Sequence, residues 1–349
     1  MKKGLLVIIA GLIVLGIAFY VVPTNQGNGQ KGSGEVNIYS YRQEVLIRPL
    51  LDAFTEETGI EVNLVSGKAD ALLERLKSEG ANSPADLLLT VDAGRLIRAK
   101  EAGVFQAVSS PLLEQVIPAR YRDPDGSWFG LSMRSRVIFY APDRVSAGDL
   151  STYEDLADPK WRERICVRSS SNVYNQSLLA SLIAHSGVEV AERWARGLVA
   201  NMARKPQGGD RDQIKAVAAG QCDIAIANTY YYARMLRSEK ADEREAANKV
   251  KLFWPNQSGR GAHVNISGAG ITSSAKNRDN AIKLIEYLVG DEAQRIYAES
   301  ANEYPVKEGV PIAESVGVLG TFKSDALDIA VLARHNADAI KSFDRAGWR

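Results

Sequence analysis

Histidine and cysteine are scarce in this chain, with three and two among 349 residues. His185, His263 and His335 are scattered and show no zinc spacing, which argues against a histidine–cysteine metal centre. A surplus of one charge is also missing. Lys+Arg 43 against Asp+Glu 42 leaves +1, so nothing in the balance points to nucleic acid or to a broad membrane-surface patch. The chain has no Gly-rich phosphate loop and no Gly-x-Ser-x-Gly elbow. No nucleophile, base and orienter can be assembled from its motifs, so it does not read as an enzyme. What remains is an ordinary globular composition, 45% hydrophobic and 24% charged, long enough for two domains.

The one long apolar run is at the start. Lys2 and Lys3 precede Gly4 to Val22, nineteen residues without a charge, and a Gly-rich polar stretch follows to Gly34. Residues 1–34 therefore read as an export signal or membrane anchor plus a flexible tether. The run is about long enough to span a bilayer, and no small-x-small site closes it cleanly, which favours a retained anchor over a cleaved signal.

From Glu35 strands and helices alternate. Strands are predicted at Val36–Ser40, Ile60–Val65 and Asp86–Thr90, with helices at Ile47–Gly59 and Ala69–Glu79. The pattern restarts with a strand at Arg164–Arg168, helices at Asn175–His185, Val188–Asn201 and Gln213–Ala219, and a strand at Asp223–Ala227. Val264–Ile271 reads as a return strand, and helices are predicted at Asn280–Val289, Glu292–Ser300 and Ser324–Lys341, the last with Ser324 as N-cap. Such alternation implies α/β lobes whose ligands sit beyond the strands' carboxyl ends.

Behind the strand Asp223–Ala227 stand three adjacent tyrosines, Tyr230, Tyr231 and Tyr232. Buried phenols need polar partners, so adjacent tyrosines are poor core material. They suit either an aromatic surface that stacks on a sugar or fills a loop, or a set of hard oxygen donors for a hard cation such as ferric iron.

Three segments narrow this choice: Tyr39-Ser-Tyr-Arg-Gln-Glu44, Arg168-Ser-Ser-Ser-Asn-Val-Tyr-Asn-Gln176 and Asn228-Thr-Tyr-Tyr-Tyr232. With Phe54–Val62, Glu286–Gln294 and Asn302–Val306, they resemble the bacterial periplasmic ferric-iron-binding proteins of ABC uptake systems, from about Glu35 to Trp348. The resemblance implies a two-lobe periplasmic binding protein fold with a hinge and an interlobe ligand cleft. Residues 35–133 and 268–322 would form the first lobe, 134–267 the second, and 323–349 a C-terminal helical segment. Carried over residue by residue, Tyr174, Tyr230 and Tyr231 are implied iron ligands, and Tyr232 packs.

The first segment departs from relatives that carry a His-Tyr pair, since Gln43-Glu44 stands there instead. The nearer resemblance is to the subgroup with Tyr-Arg-Gln, whose metal is completed by carbonate or bicarbonate. Arg42 is then expected to hold that anion as a cationic fork, with Gln43 beside it. Glu44 is either an extra ligand or a solvated acid at a helix start. Arg134 and Arg136 lie on one face of the segment Trp128–Tyr140, which resembles the strand between lobes. They either help hold the anion or form an interlobe salt bridge, while Tyr140 reads as core. The Ser169–Asn172 stretch either caps the following helix or orients Tyr174 or an anion. Cys166 and Cys222 each lie eight positions before an implied ligand, and an exported compartment favours a disulfide over two buried thiols.

Three phenolates would neutralise one Fe(III), and an anion with Arg42 would keep the cleft balanced. The implied function is capture of ferric iron outside the cytoplasmic membrane and delivery to an ABC permease. The implied protein is a periplasmic monomer, tethered by residues 4–22 if the run is kept. A protein of the same fold that binds a polyamine or an oxyanion is the alternative.

Overall fold

The computed structural model describes residues 34–349, so the readings made for the apolar run and most of the tether lie outside the described residues. Among the described residues no helix is long and apolar enough to cross a membrane. The first three strands, β1 (Glu35–Ser40), β2 (Glu61–Ser66) and β3 (Leu87–Val91), run parallel with β1 in the middle. The helix Glu44–Thr58 between β1 and β2 buries Ile47, Leu50, Leu51 and Phe54, and Gly59 ends it at φ 75°. That left-handed position suits glycine, which has no Cβ to clash.

The remaining strands are β4 (Phe129–Tyr140), β5 (Ile165–Cys166), β6 (Ile224–Asn228), β7 (Lys251–Phe253), β8 (Val264–Ile271) and β9 (Tyr304–Pro305). The order across the sheet is β2-β1-β3-β8-β4-β6-β5, with β7 and β9 added on β4. The predicted return strand is β8. It lies between β3 and β4, antiparallel to both. Two glycines permit that approach: a Cβ on Gly268 would stand 2.5 Å from the Phe129 carbonyl oxygen, and one on Gly270 2.6 Å from that of Ser127.

β4 changes partner along its length. Residues up to Ser135 pair with β8, and Arg136 to Tyr140 pair with β6. One strand thus joins two groups of strands, and Arg134 and Arg136 flank the change. β6 (Ile-Ala-Ile-Ala-Asn) is buried throughout, as its continuous apolar run predicts. Full burial of Ile224 and Ile226 contributes roughly 1.5–3 kcal/mol each.

Two elements differ from expectation. Only Ile165 and Cys166 of the segment Arg164–Arg168 pair as a strand. The C-terminal helix is broken into Val331–Arg334 and Asn336–Ala346. Ser324 does not cap a helix. It bridges to Ala262, and the Asp325 amide donates to the Ala262 carbonyl at 2.9 Å, so these groups are committed to a neighbouring chain segment. Past the last helix, buried Trp348 donates through Nε1 to the Arg168 carbonyl at 3.0 Å and pins the loop ahead of Tyr174.

The two cysteines are joined as a disulfide that ties β5 to the entrance of β6, with Cα atoms 5.9 Å apart and a sequence separation of 56. Closing a loop of that size restricts the unfolded chain by about 4 kcal/mol. Reduction, or replacement of both cysteines by serine, is expected to lower stability by that order in denaturant titrations. An unchanged midpoint with both thiols shown free would contradict it.

Candidate functional site: a cleft lined with phenols

The helix Thr229–Leu236 starts directly after β6, so Tyr230 and Tyr231 occupy its first turn rather than a bare strand end. Tyr174 occupies the first turn of the helix Val173–Ser186, whose N-cap Asn172 accepts from the Tyr174 amide at 3.1 Å. Of the two roles open to the Ser169–Asn172 stretch, capping is therefore realised. Asn175 donates to the Arg168 and Ser169 carbonyls and Gln176 to that of Ser170, which fixes the loop against the helix.

These two first turns bring Tyr174 and Tyr230 together, with the Tyr230 hydroxyl donating to that of Tyr174 at 3.1 Å. The Tyr231 ring lies 4.2 Å from that of Tyr230, centroid to centroid. Tyr41 lines the same cleft and packs with Val91, Val173 and Tyr174. All four phenols line one cleft of about 570 Å³, together with Arg42 and Gln43. Oxygens that each sit about 2 Å from one small cation, at right angles, stand just under 3 Å apart. The Tyr174–Tyr230 separation is close to that value. Among the described residues no group of three or more His, Cys, Asp or Glu side chains could hold a metal ion, and the four phenols share the cleft lining with the carboxylates of Asp210, Asp212 and Glu243.

Burial, reinforced by Tyr174, Tyr231 and Asp210, holds the Tyr230 phenol well above its ordinary value. Burial also raises Tyr174, with Tyr231 adding to the shift and Arg134 opposing it. Both are protonated without a cation, so a metal ion must displace their protons and its affinity must fall as pH falls. Each tyrosine has a guanidinium beside its ring: Arg168 at 5.8 Å from Tyr174, Arg234 at 5.5 Å from Tyr230 and Arg211 at 5.9 Å from Tyr231. A nearby cation favours the phenolate once it forms.

Tyr232 does not line this cleft. It is buried, its hydroxyl donates to the Val250 carbonyl at 2.9 Å, and its ring lies 5.0 Å from Phe139, so it packs. Tyr232→Phe is expected to cost about 1 kcal/mol of stability, the worth of one hydrogen bond, and to leave metal binding unchanged. Denaturant and metal titrations of that variant check this, and a metal affinity lowered as far as by Tyr231→Phe would refute it.

The other residues singled out in the sequence fall in different places. Arg42 lines the cleft, but its terminal nitrogens are engaged. Nη1 and Nη2 hold Glu303 at 3.1 and 2.9 Å, and Nη2 also bonds Ser267 and Tyr297, which leaves Nε without a partner among the described residues. Gln43 is exposed at the cleft and precedes the helix Glu44–Thr58. Glu44 is exposed and pairs with Arg48 at 2.5 Å on the same helix, outside the cleft lining. Arg134 and Arg136 are buried behind the tyrosines rather than facing the cleft. Arg136 is held by Asp210 at 3.0 Å, Asn228 at 3.1 Å and Asn175 at 2.7 Å. Asp210 also pairs with Arg168 at 3.2 Å and accepts from the Asn228 amide, so it anchors the turn into the triplet.

Sequence reasoning missed Tyr41, Arg168, Asp210, Arg211 and Arg234 as cleft residues. For Arg234 a signal existed, because it follows Tyr230 by four positions and so shares its helix face. Asp210 had none, since its partners are eighteen or more residues away in sequence.

Comparison with known proteins fits this geometry. The family model for bacterial extracellular solute-binding proteins matches residues 82–326. The chain is 52% identical to the iron uptake protein A1 of Synechocystis sp., over 90% of this chain and 88% of that protein. It is 28% identical to the major ferric iron-binding protein of Neisseria meningitidis, over 90% and 93%. Among solved structures, the Trichodesmium protein IdiA (FutA), in complex with iron and citrate ligands, superposes with a TM-score of 0.89 at 55% identity, over 90% of this chain and all of that one. Apo FutA2 of Synechocystis superposes with a TM-score of 0.87 at 50% identity, over 91% and 100%. These relatives are binding and uptake proteins, not enzymes, and the fold is the two-lobe fold that the sequence implied.

Proposed function

The chain belongs to the bacterial extracellular solute-binding proteins, and from that premise we propose that it captures ferric iron in the periplasm for uptake by an ABC permease. The observation that carries this reading is the pair of phenol oxygens, Tyr174 and Tyr230, 3.1 Å apart in a cleft that two further phenols line. Tyr174, Tyr230 and Tyr231 are the proposed ligands, and Tyr41 is placed to add a fourth phenolate. Three phenolates balance the charge of Fe(III), and their hardness matches it.

The proposed anion is of the carbonate type and sits beside the iron. Glu303 neutralises most of Arg42, so Arg42 contributes through Nε, with Gln43 next to it. Arg168, Arg211 and Arg234 add positive charge around the remaining space. The cleft is larger than one hydrated ion requires, which leaves room for a carboxylate chelator such as the citrate bound in the Trichodesmium structure. The lobes are proposed as residues 35–133 with 268–322 and residues 134–267, which the change of strand partner between Ser135 and Arg136 supports. The protein acts as a monomer, held at the membrane by residues 4–22 where the apolar run is retained.

Competition with a ferric chelator, in buffers holding carbonate, citrate or neither, tests the reading. Tight binding of one iron per chain is expected, stronger with either anion and weaker as pH falls, because the phenols must lose protons. Retention of all iron by the chelator in every buffer would overturn it.

A further inference from the structure

We propose that the residues behind the tyrosines form a second site, which takes one small monovalent anion of the size of chloride. Arg134, Arg136, Asn228, His263 and Asn265, with the back of Tyr174, line a cavity of about 10 Å³. That is room for a single water-sized species, so the carbonate or citrate of the iron cleft does not fit.

Arg134, Arg136 and Asn228 are each 2% exposed. Each has a buried N–H group with no hydrogen-bond partner among the described residues: Nη2 of Arg134, Nε of Arg136 and Nδ2 of Asn228. The nearest carboxylate to Arg134 Nη2, that of Asp92, is 3.9 Å away, beyond hydrogen-bond reach. Buried donors left unpaired are costly, and charged ones more so. All three orphans are donors. A water molecule has two lone pairs and brings protons of its own, whereas a halide is an acceptor only.

The charge agrees. Arg134 pairs loosely with Asp92, and Arg136 shares Asp210 with Arg168, so two carboxylates stand against three guanidinium groups. His263 adds none, since burial and the arginines hold its imidazole down to about 3. Arg134 lies 5.7 Å from the Tyr174 ring, so the anion braces the arginine pair that backs this tyrosine.

The test uses iron-free protein, so its failure leaves the iron reading untouched. Crystals grown with bromide are expected to show an anomalous peak in the cavity. The melting midpoint is expected to rise with chloride and not with gluconate at constant ionic strength. Asn228→Asp keeps the oxygen that Arg136 uses and supplies a built-in carboxylate. That variant should fold and lose both the bromide peak and the chloride response. A water without anomalous signal, equal melting in both salts, bromide bound without a melting response, or a chloride response unchanged in Asn228→Asp would each overturn the proposal.

Discussion

Phenylalanine in place of Tyr230 or Tyr231 is expected to weaken ferric-iron binding by at least about 100-fold while the iron-free protein stays folded. Removal of a group that only supports a metal ligand typically costs 10–100-fold, so loss of a ligand oxygen should cost at least the upper part of that range. The aromatic volume is kept, and the packing of the Tyr231 ring on Tyr230 is retained. In Tyr230→Phe the hydrogen bond to Tyr174 is lost, a stability change of about 1 kcal/mol that denaturant titration resolves from unfolding. Chelator competition supplies the affinity. Wild-type affinity in both variants would remove the triplet from the site.

Glu303→Gln is expected to be among the most destabilising single changes in the chain. Glu303 is 1% exposed and holds Arg42 in a bidentate pair, with Ser132 and Ser267 donating to the same carboxylate. Breaking a buried pair from one side leaves an uncompensated charge and costs about 3–5 kcal/mol. Burial alone would raise the Glu303 carboxyl, but Arg42, Arg134 and Ser132 outweigh it and hold the group at about 2 against an ordinary 4.5. The folded value is depressed, so its contribution is fully present above pH 4.5 and is lost as pH falls toward 2. The size of that shift corresponds to roughly 3 kcal/mol, in line with the mutational figure. Denaturant midpoints of wild type and Glu303→Gln should therefore differ widely at pH 7 and converge as pH falls from 4.5 toward 2. A constant difference across that window, or none at pH 7, would contradict the account.

These residues mark what the sequence discloses and what it hides. The strands that carry the site were legible because their signals are local: β6 is a short apolar run with Tyr230 and Tyr231 just behind it, and β8 coincides with its predicted bounds. The partners of the arginines were not legible. Arg42 reads as a free fork until Glu303, 261 residues away, is brought onto it. Arg134 and Arg136 share a strand face as predicted, yet whether that face meets the cleft or the interior depends on β6 and on Asp210, which no local pattern announces. Ser324 carried a sound capping signal and lost to a tertiary bridge with Ala262.

The central claim is that phenolates of this cleft bind ferric iron directly. Visible absorption during titration of the iron-free protein with ferric iron tests it most directly, because a phenolate oxygen bound to ferric iron gives a charge-transfer band in the visible that the unbound phenols lack. The account predicts a band that grows to one iron per chain and is lost or strongly reduced in Tyr230→Phe and Tyr231→Phe but kept in Tyr232→Phe. Stoichiometric binding of iron without such a band, or a band untouched by the first two variants, would contradict it.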